Sequence, residues 1–174
     1  MAGPYGDPRA DALRAAFHSR FAAAELPVPV ESIAADYLGL DVCEAPLPVS
    51  GLILPAERRI WLNESEPEHR RRFTLAHEVG HWVCQCLEGR GAEVMCRDID
   101  LDPAADRTLE REANIFAANL LMPREAVEPL WLRHQAVAPV ADAFGVSDEA
   151  MQWRLFGFGL VAEKPAPWRG SVEA

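Results

Sequence analysis

Apolar residues first recur at helical spacing in the stretch 8–25, where Leu13, Ala16, Phe17, Phe21 and Ala24 form a stripe. This predicts an amphipathic helix. Pro27 and Pro29 end it, since proline lacks the N–H that a continuing helix needs. A shorter helix is predicted from Val30 to Leu38, with Gly39 as its C-terminal stop. The period then changes. Leu40 to Cys43, Gly51 to Leu54 and Arg59 to Leu62 are short apolar runs bounded by turn residues, which reads as a small sheet of about three strands. Pro55 to Arg58 suits the loop of a hairpin. Helical patterning returns over 67–87, opened by Pro67 and closed by Gly89 and Gly91. Residues 92–103 are acidic and irregular. Further helices are predicted over 104–121 and 123–134, and the stretch 138–161 reads as helix, turn around Gly145-Val146-Ser147, helix.

Length and composition add bounds to this α+β pattern. A chain of 174 residues, 49% hydrophobic, is long enough for one domain with a sizeable core and too apolar for disorder. The predicted division is a loose N-terminus (1–7), one domain (8–162) and a tail (163–174). Within the domain an N-terminal helix covers 8–29, a core 30–135 and a helical segment 136–162. The formal charge of −10 repels phosphate backbones and anionic lipid, so no direct nucleic-acid contact is expected. The N-terminus lacks a secretory pattern and no apolar run is long enough to span a bilayer. A cytoplasmic protein without membrane contact is therefore expected, with its four cysteines reduced. Cys43, Cys84, Cys86 and Cys96 match no zinc-knuckle spacing and read as small hydrophobes. Cys84 and Cys86 lie close enough to two histidines to raise the alternative of oxidant sensitivity.

Those histidines carry the chemistry. His77 and His81 are four residues apart on a predicted helix, which puts both imidazoles on one face. Two rings so placed can share one zinc ion. Glu78 follows the first histidine and is placed beside the ion rather than on it, where it can accept a proton from the hydrolytic water. The neighbours Phe73, Leu75, Ala76, Val79, Trp82 and Val83 imply that most of this helix is buried. Buried histidines and a buried glutamate need partners, and a metal supplies one.

A catalytic zinc needs a third protein ligand and an open position. Cys84 and Leu87 stand where the longer three-histidine pattern requires Gly and His, so that class is excluded. A distant carboxylate is the natural choice. Glu110 and Glu112 both flank the apolar stripe of the helix over 104–121. Asn114, four residues after Glu110, could hydrogen-bond a ligating histidine and so favours Glu110. The other glutamate belongs with Arg107 and Arg111 on a solvated face.

The blocks Arg72-Phe73-Thr74-Leu75-Ala76-His77-Glu78-Val79-Gly80-His81 and Glu110-Arg111-Glu112-Ala113-Asn114-Ile115-Phe116-Ala117-Ala118-Asn119-Leu120-Leu121-Met122-Pro123 together resemble the ImmA/IrrE family of metallopeptidases. The likeness extends more loosely over 30–160. It implies a thermolysin-like zincin core with a small sheet packed on helices and C-terminal helices. It implies His77, His81 and Glu110 as metal ligands and Glu78 as catalyst. The metal implied is zinc, with manganese or iron as possible replacements. The substrate implied is a protein, a helix-turn-helix repressor cut at one site. Some members of the family act in toxin–antitoxin loci, which leaves a regulatory role by docking alone as the alternative.

Tyr37, His69 and Arg72 are candidates for a second donor to the oxyanion, and the sequence does not choose among them. Substrate is expected to add as a strand along Leu52 to Leu54 or Ile60 to Leu62. The segment 136–160 has the outline of a helix-turn-helix, but Arg154 is its only basic residue, against Asp142, Asp148 and Glu149. A DNA-reading surface should be basic.

Overall fold

The computed structural model describes residues 6–21, 26–87 and 103–166. The first helix, α1, spans Pro8–Arg20. Asp7 caps it, accepting from the Arg9 backbone N–H at 2.9 Å, and Pro8 takes a position where a helix has no use for an N–H. Ala10, Leu13 and Phe17 form its buried face. The helix ends short of the predicted residue 25. Phe21 turns extended and stacks back on Phe17, with ring centroids 4.9 Å apart. A short helix α2, Val30–Ser32, widens into a π-type turn over Ile33–Tyr37. Gly39 follows at φ +66°, a conformation that glycine adopts without penalty. Arg58 donates to the Leu38 and Gly39 carbonyls there, satisfying acceptors beyond the helix end.

The sheet has three strands, β1 (Asp41–Ala45), β2 (Gly51–Leu54) and β3 (Arg59–Asn63), in the order β1-β3-β2. β2 and β3 form the expected antiparallel hairpin, joined by a 3-10 turn at Pro55–Glu57 and by Arg58 at φ +52°. β1 runs parallel to β3 on its other side. β3 is therefore central, and both of its backbone edges are already paired. Ile60 to Leu62 cannot receive an added strand, which corrects that expectation. β2 is an edge strand of this sheet. Along β3, Ile60 and Leu62 are buried while Arg59, Trp61 and Asn63 are half-buried, the alternation of a strand with one face on the core.

The covering helix is α3, Glu68–His81, which continues as a second π-type turn over Trp82–Cys86. It packs on β2 and β3. Gly51 permits the approach, since a Cβ there would lie 2.5 Å from Thr74 Cγ2 and 2.9 Å from the Trp61 carbonyl oxygen. The next helix, α4, spans Pro103–Leu121 and makes the most extensive helix–helix contact among the described residues with α3. Gly80 is the crossing point: a Cβ there would come within 3.0 Å of the Ala113 carbonyl oxygen and 3.2 Å of the Phe116 ring. The predicted stop at Gly89 and Gly91 and the segment 92–102, with Cys96, lie outside the described residues.

Three helices close the fold: α5 (Arg124–His134), α6 (Val137–Phe144) and α7 (Asp148–Gly157). Gly145 at φ +63° ends α6, and the Ser147 hydroxyl caps α7 through the Ala150 N–H at 3.2 Å. One buried cluster runs through the elements, with Phe17, Ile33, Ile60, Leu75, Phe116, Leu120, Phe144 and Leu155 among its members. Two arginines clamp the C-terminal end of α4. Arg14 donates to the Asn119 carbonyl at 2.6 Å, and Arg154 donates to the Met122 carbonyl at 2.9 Å and to Asn119 Oδ1 at 2.7 Å. Burial, with the charge of Arg14 added, pushes the Arg154 pKa down to about 10. The sole basic residue of the helix-turn-helix-like segment is thus 5% exposed and committed to α4. It is not available to a phosphate backbone.

The architecture is thus mostly helical α+β with a small mixed sheet. Among the described residues no helix is long and apolar enough to cross a membrane.

Candidate metal centre

α3 sets the His77 and His81 rings one turn apart, with centroids at 4.5 Å and planes at 86°. Their Nε2 atoms face each other at 2.9 Å. α4 brings the Glu110 carboxylate onto the same point: Oε2 lies 3.2 Å from His77 Nε2 and Oε1 lies 3.2 Å from His81 Nε2. Of the two candidate glutamates, Glu110 is the one that reaches the histidines. Glu112 lies toward α1, where its charge acts on Arg9; the hydrogen bond to Asp7 is the main cause of that arginine's raised pKa.

The other ring nitrogens face amide oxygens. His77 Nδ1 lies 3.0 Å from Asn114 Oδ1, and His81 Nδ1 lies 3.1 Å from Gln85 Oε1. An amide oxygen only accepts, so each ring presents Nδ1–H to it, which leaves Nε2 as the nitrogen that faces the site. Two Nε2 atoms and a carboxylate then converge on one point, which calls for a proton or a metal cation among them.

The donor set fits a divalent metal ion. The three ligand atoms lie within 4.8 Å of one another. Zinc bonds of about 2.0–2.1 Å in a tetrahedral arrangement set donors roughly 3.4 Å apart, close to the 2.9 and 3.2 Å separations here. Imidazole with carboxylate also suits zinc, manganese or iron.

The electrostatics agree with a cation-seeking cluster. Hydrogen bonds from His77 and then His81 hold the Glu110 carboxyl well below the usual carboxylate range. For His81 the largest influence is burial, which would lower its pKa. The hydrogen bond to Glu110, the charges of Glu78 and Glu110 and the contact with Gln85 together outweigh it and raise the value. Glu78 is 3% exposed and its charge is felt at His81.

The remaining candidates sort by position. Arg72 binds Glu31 at 3.1 Å and the Val28 carbonyl at 2.8 Å. Tyr37 packs edge-on against Phe17 at 6.3 Å. His69 is exposed on the first turn of α3, about 12 Å along the axis from His77 at 1.5 Å per residue. None of these observations selects an oxyanion donor. Cys84 is fully buried, and burial pushes the half-buried Cys86 thiol up, which disfavours the reactive thiolate. That weighs against the oxidant-sensor alternative. Gln85 was not singled out from the sequence. The signal was present, since it stands four residues after His81 just as Asn114 follows Glu110.

The family model described as the IrrE N-terminal-like domain, peptidase M78, matches residues 35–156. Over 120 residues the chain is 31% identical to the radiation response metalloprotease IrrE of Deinococcus deserti, covering 65% of this chain and 39% of that protein. A Mycobacterium tuberculosis transcriptional regulator superposes with a TM-score of 0.61 at 19% identity, covering 87% of this chain and 47% of that one. At that identity the likeness concerns the fold alone. The chain spans less than half the length of either protein. The converging side chains all fall inside the matched span, and the chain belongs to the IrrE N-terminal-like (peptidase M78) family.

Proposed function

We propose that this chain is a metal-dependent endopeptidase with a zincin-type core, in which His77, His81 and Glu110 hold the ion and Glu78 moves the proton. The observation that carries the reading is the convergence of two imidazole Nε2 atoms and one carboxylate on a single point, beside a buried glutamate. Family membership supports it. A bound zinc ion supplies Lewis-acid polarisation of water and of the scissile carbonyl. Glu78 accepts the proton as water attacks the peptide carbon, then delivers it to the leaving amine nitrogen. Asn114 and Gln85 keep Nδ1 of each histidine as the donor, so both Nε2 lone pairs stay directed at the site.

The substrate is a protein strand that pairs with the edge of β2, which among the described residues has a strand partner on one side only, in the same sheet that α3 covers. A helix-turn-helix repressor, cut at one site, fits the family resemblance and the radiation-response role named for the Deinococcus relative. A role by docking alone gives no reason for a buried carboxylate next to the histidines. The test is incubation of purified protein with candidate repressors. Cleavage by the wild type and its loss in Glu78→Gln, with metal content retained, is the expected result. Cleavage that persists in Glu78→Gln overturns the mechanism.

A further inference from the structure

Gln85 connects the two halves of the site. Its Oε1 accepts from His81 Nδ1 at 3.1 Å, and its Nε2 donates to the Leu109 carbonyl at 3.3 Å. It is 2% exposed, and Leu109 immediately precedes Glu110. The bond to Leu109 fixes the amide orientation, because a flipped amide would point oxygen at a carbonyl and N–H at N–H. Gln85 lies in the π-type turn that replaces regular α-helix directly after His81, a local widening of the kind found at functional sites. His77 is tied to α4 by Asn114, so each imidazole is referred to the helix that carries the carboxylate.

We infer that Gln85 is a positioning residue: it sets the tautomer of His81 and holds that ring in register with Glu110 before a metal binds. This rests on the metal-site reading above. Gln85→Met keeps the volume and removes both polar ends. Gln85→Glu restores the acceptor for His81 Nδ1 but loses the donor to Leu109 and adds a buried charge, so recovery of zinc binding in it reports the acceptor even where the fold is weakened. Zinc affinity is measured by chelator competition, and the Tm of the metal-free proteins is measured alongside. Gln85→Met should bind zinc about 10- to 100-fold more weakly than wild type with a metal-free Tm near wild type, and Gln85→Glu should recover that loss even though its metal-free Tm falls. Zinc binding by Gln85→Met as tight as wild type overturns the assignment. So does an equal loss in both variants that tracks a fall in metal-free Tm, which marks Gln85 as packing alone. Wild type that takes up no zinc overturns the metal-site reading itself, and this inference with it.

Discussion

Gly80→Ala probes the contact on which the metal centre depends. In an isolated helix the change would stabilise by about 1 kcal/mol, because alanine loses less backbone freedom than glycine. Here the added Cβ would lie 3.0 Å from the Ala113 carbonyl oxygen, 3.1 Å from Ala113 Cα and 3.2 Å from Phe116 Cδ1. Two of those atoms are α4 backbone, and Ala113 and Phe116 are themselves fully buried. Neither neighbour can swing aside, so α4 must move by a few tenths of an ångström. Overpacking of this kind costs about 1–3 kcal/mol, which exceeds the helix gain and leaves a net loss of about 1 kcal/mol. The displacement also reaches function, because Glu110 and Asn114 flank Ala113 on the helix being pushed. Urea denaturation of the metal-free protein reads the first effect, and zinc titration by chelator competition reads the second. The expected outcome is a lower midpoint together with weaker zinc binding. A variant that is more stable than wild type, with zinc affinity unchanged, refutes the argument that the two helices are in contact at Gly80.

Gly51→Ala should cost more, about 3 kcal/mol by the same measurement, since its Cβ would meet Thr74 and the Trp61 carbonyl at closer range. Asn114→Leu should leave the metal-free Tm near wild type but weaken zinc about 10- to 100-fold, by freeing His77 to rotate; unchanged affinity would remove Asn114 from the site. Asp7→Ala should destabilise by about 1 kcal/mol at pH 7 through loss of the α1 cap. The Asp7 pKa is lowered: burial, the largest influence, would raise it, but the hydrogen bonds and charge of Arg9 outweigh that. The carboxylate therefore contributes fully above its ordinary value of 3.8 and progressively less as pH falls toward the folded-state value. The gap between wild type and Asp7→Ala in thermal melts should narrow below that pH, and a gap that widens in acid would contradict the assignment.

The helices and the hairpin were legible because each is written in local periodicity. Even so, the end of α1 was misplaced: Phe21 fits the helical stripe but is drawn into a stack on Phe17. The parallel partnership of β1 and β3 was not legible at all, because which strand pairs with which is a long-range choice that neither strand's own sequence encodes. That choice is what buries both edges of β3 and leaves β2 at the margin. At the centre, His77, Glu78 and His81 could be read from spacing. Glu110 was separable from Glu112 only through Asn114; in the structure Asn114 lies on His77 and Glu110 on both rings. Gln85 is less legible, since it stands on the same helical run as His81 and nothing local ties its amide to α4. Its meaning appears only once the Leu109 carbonyl is beside it.

Metal analysis of wild type, Glu78→Gln, Glu110→Ala and Glu112→Ala, purified side by side under gentle conditions, tests the metal centre most directly. About one divalent ion per chain is expected in wild type, retained in Glu78→Gln and Glu112→Ala and lost in Glu110→Ala. Wild type devoid of metal, or metal that survives removal of Glu110 and vanishes with Glu112, would contradict the assignment of the ligands.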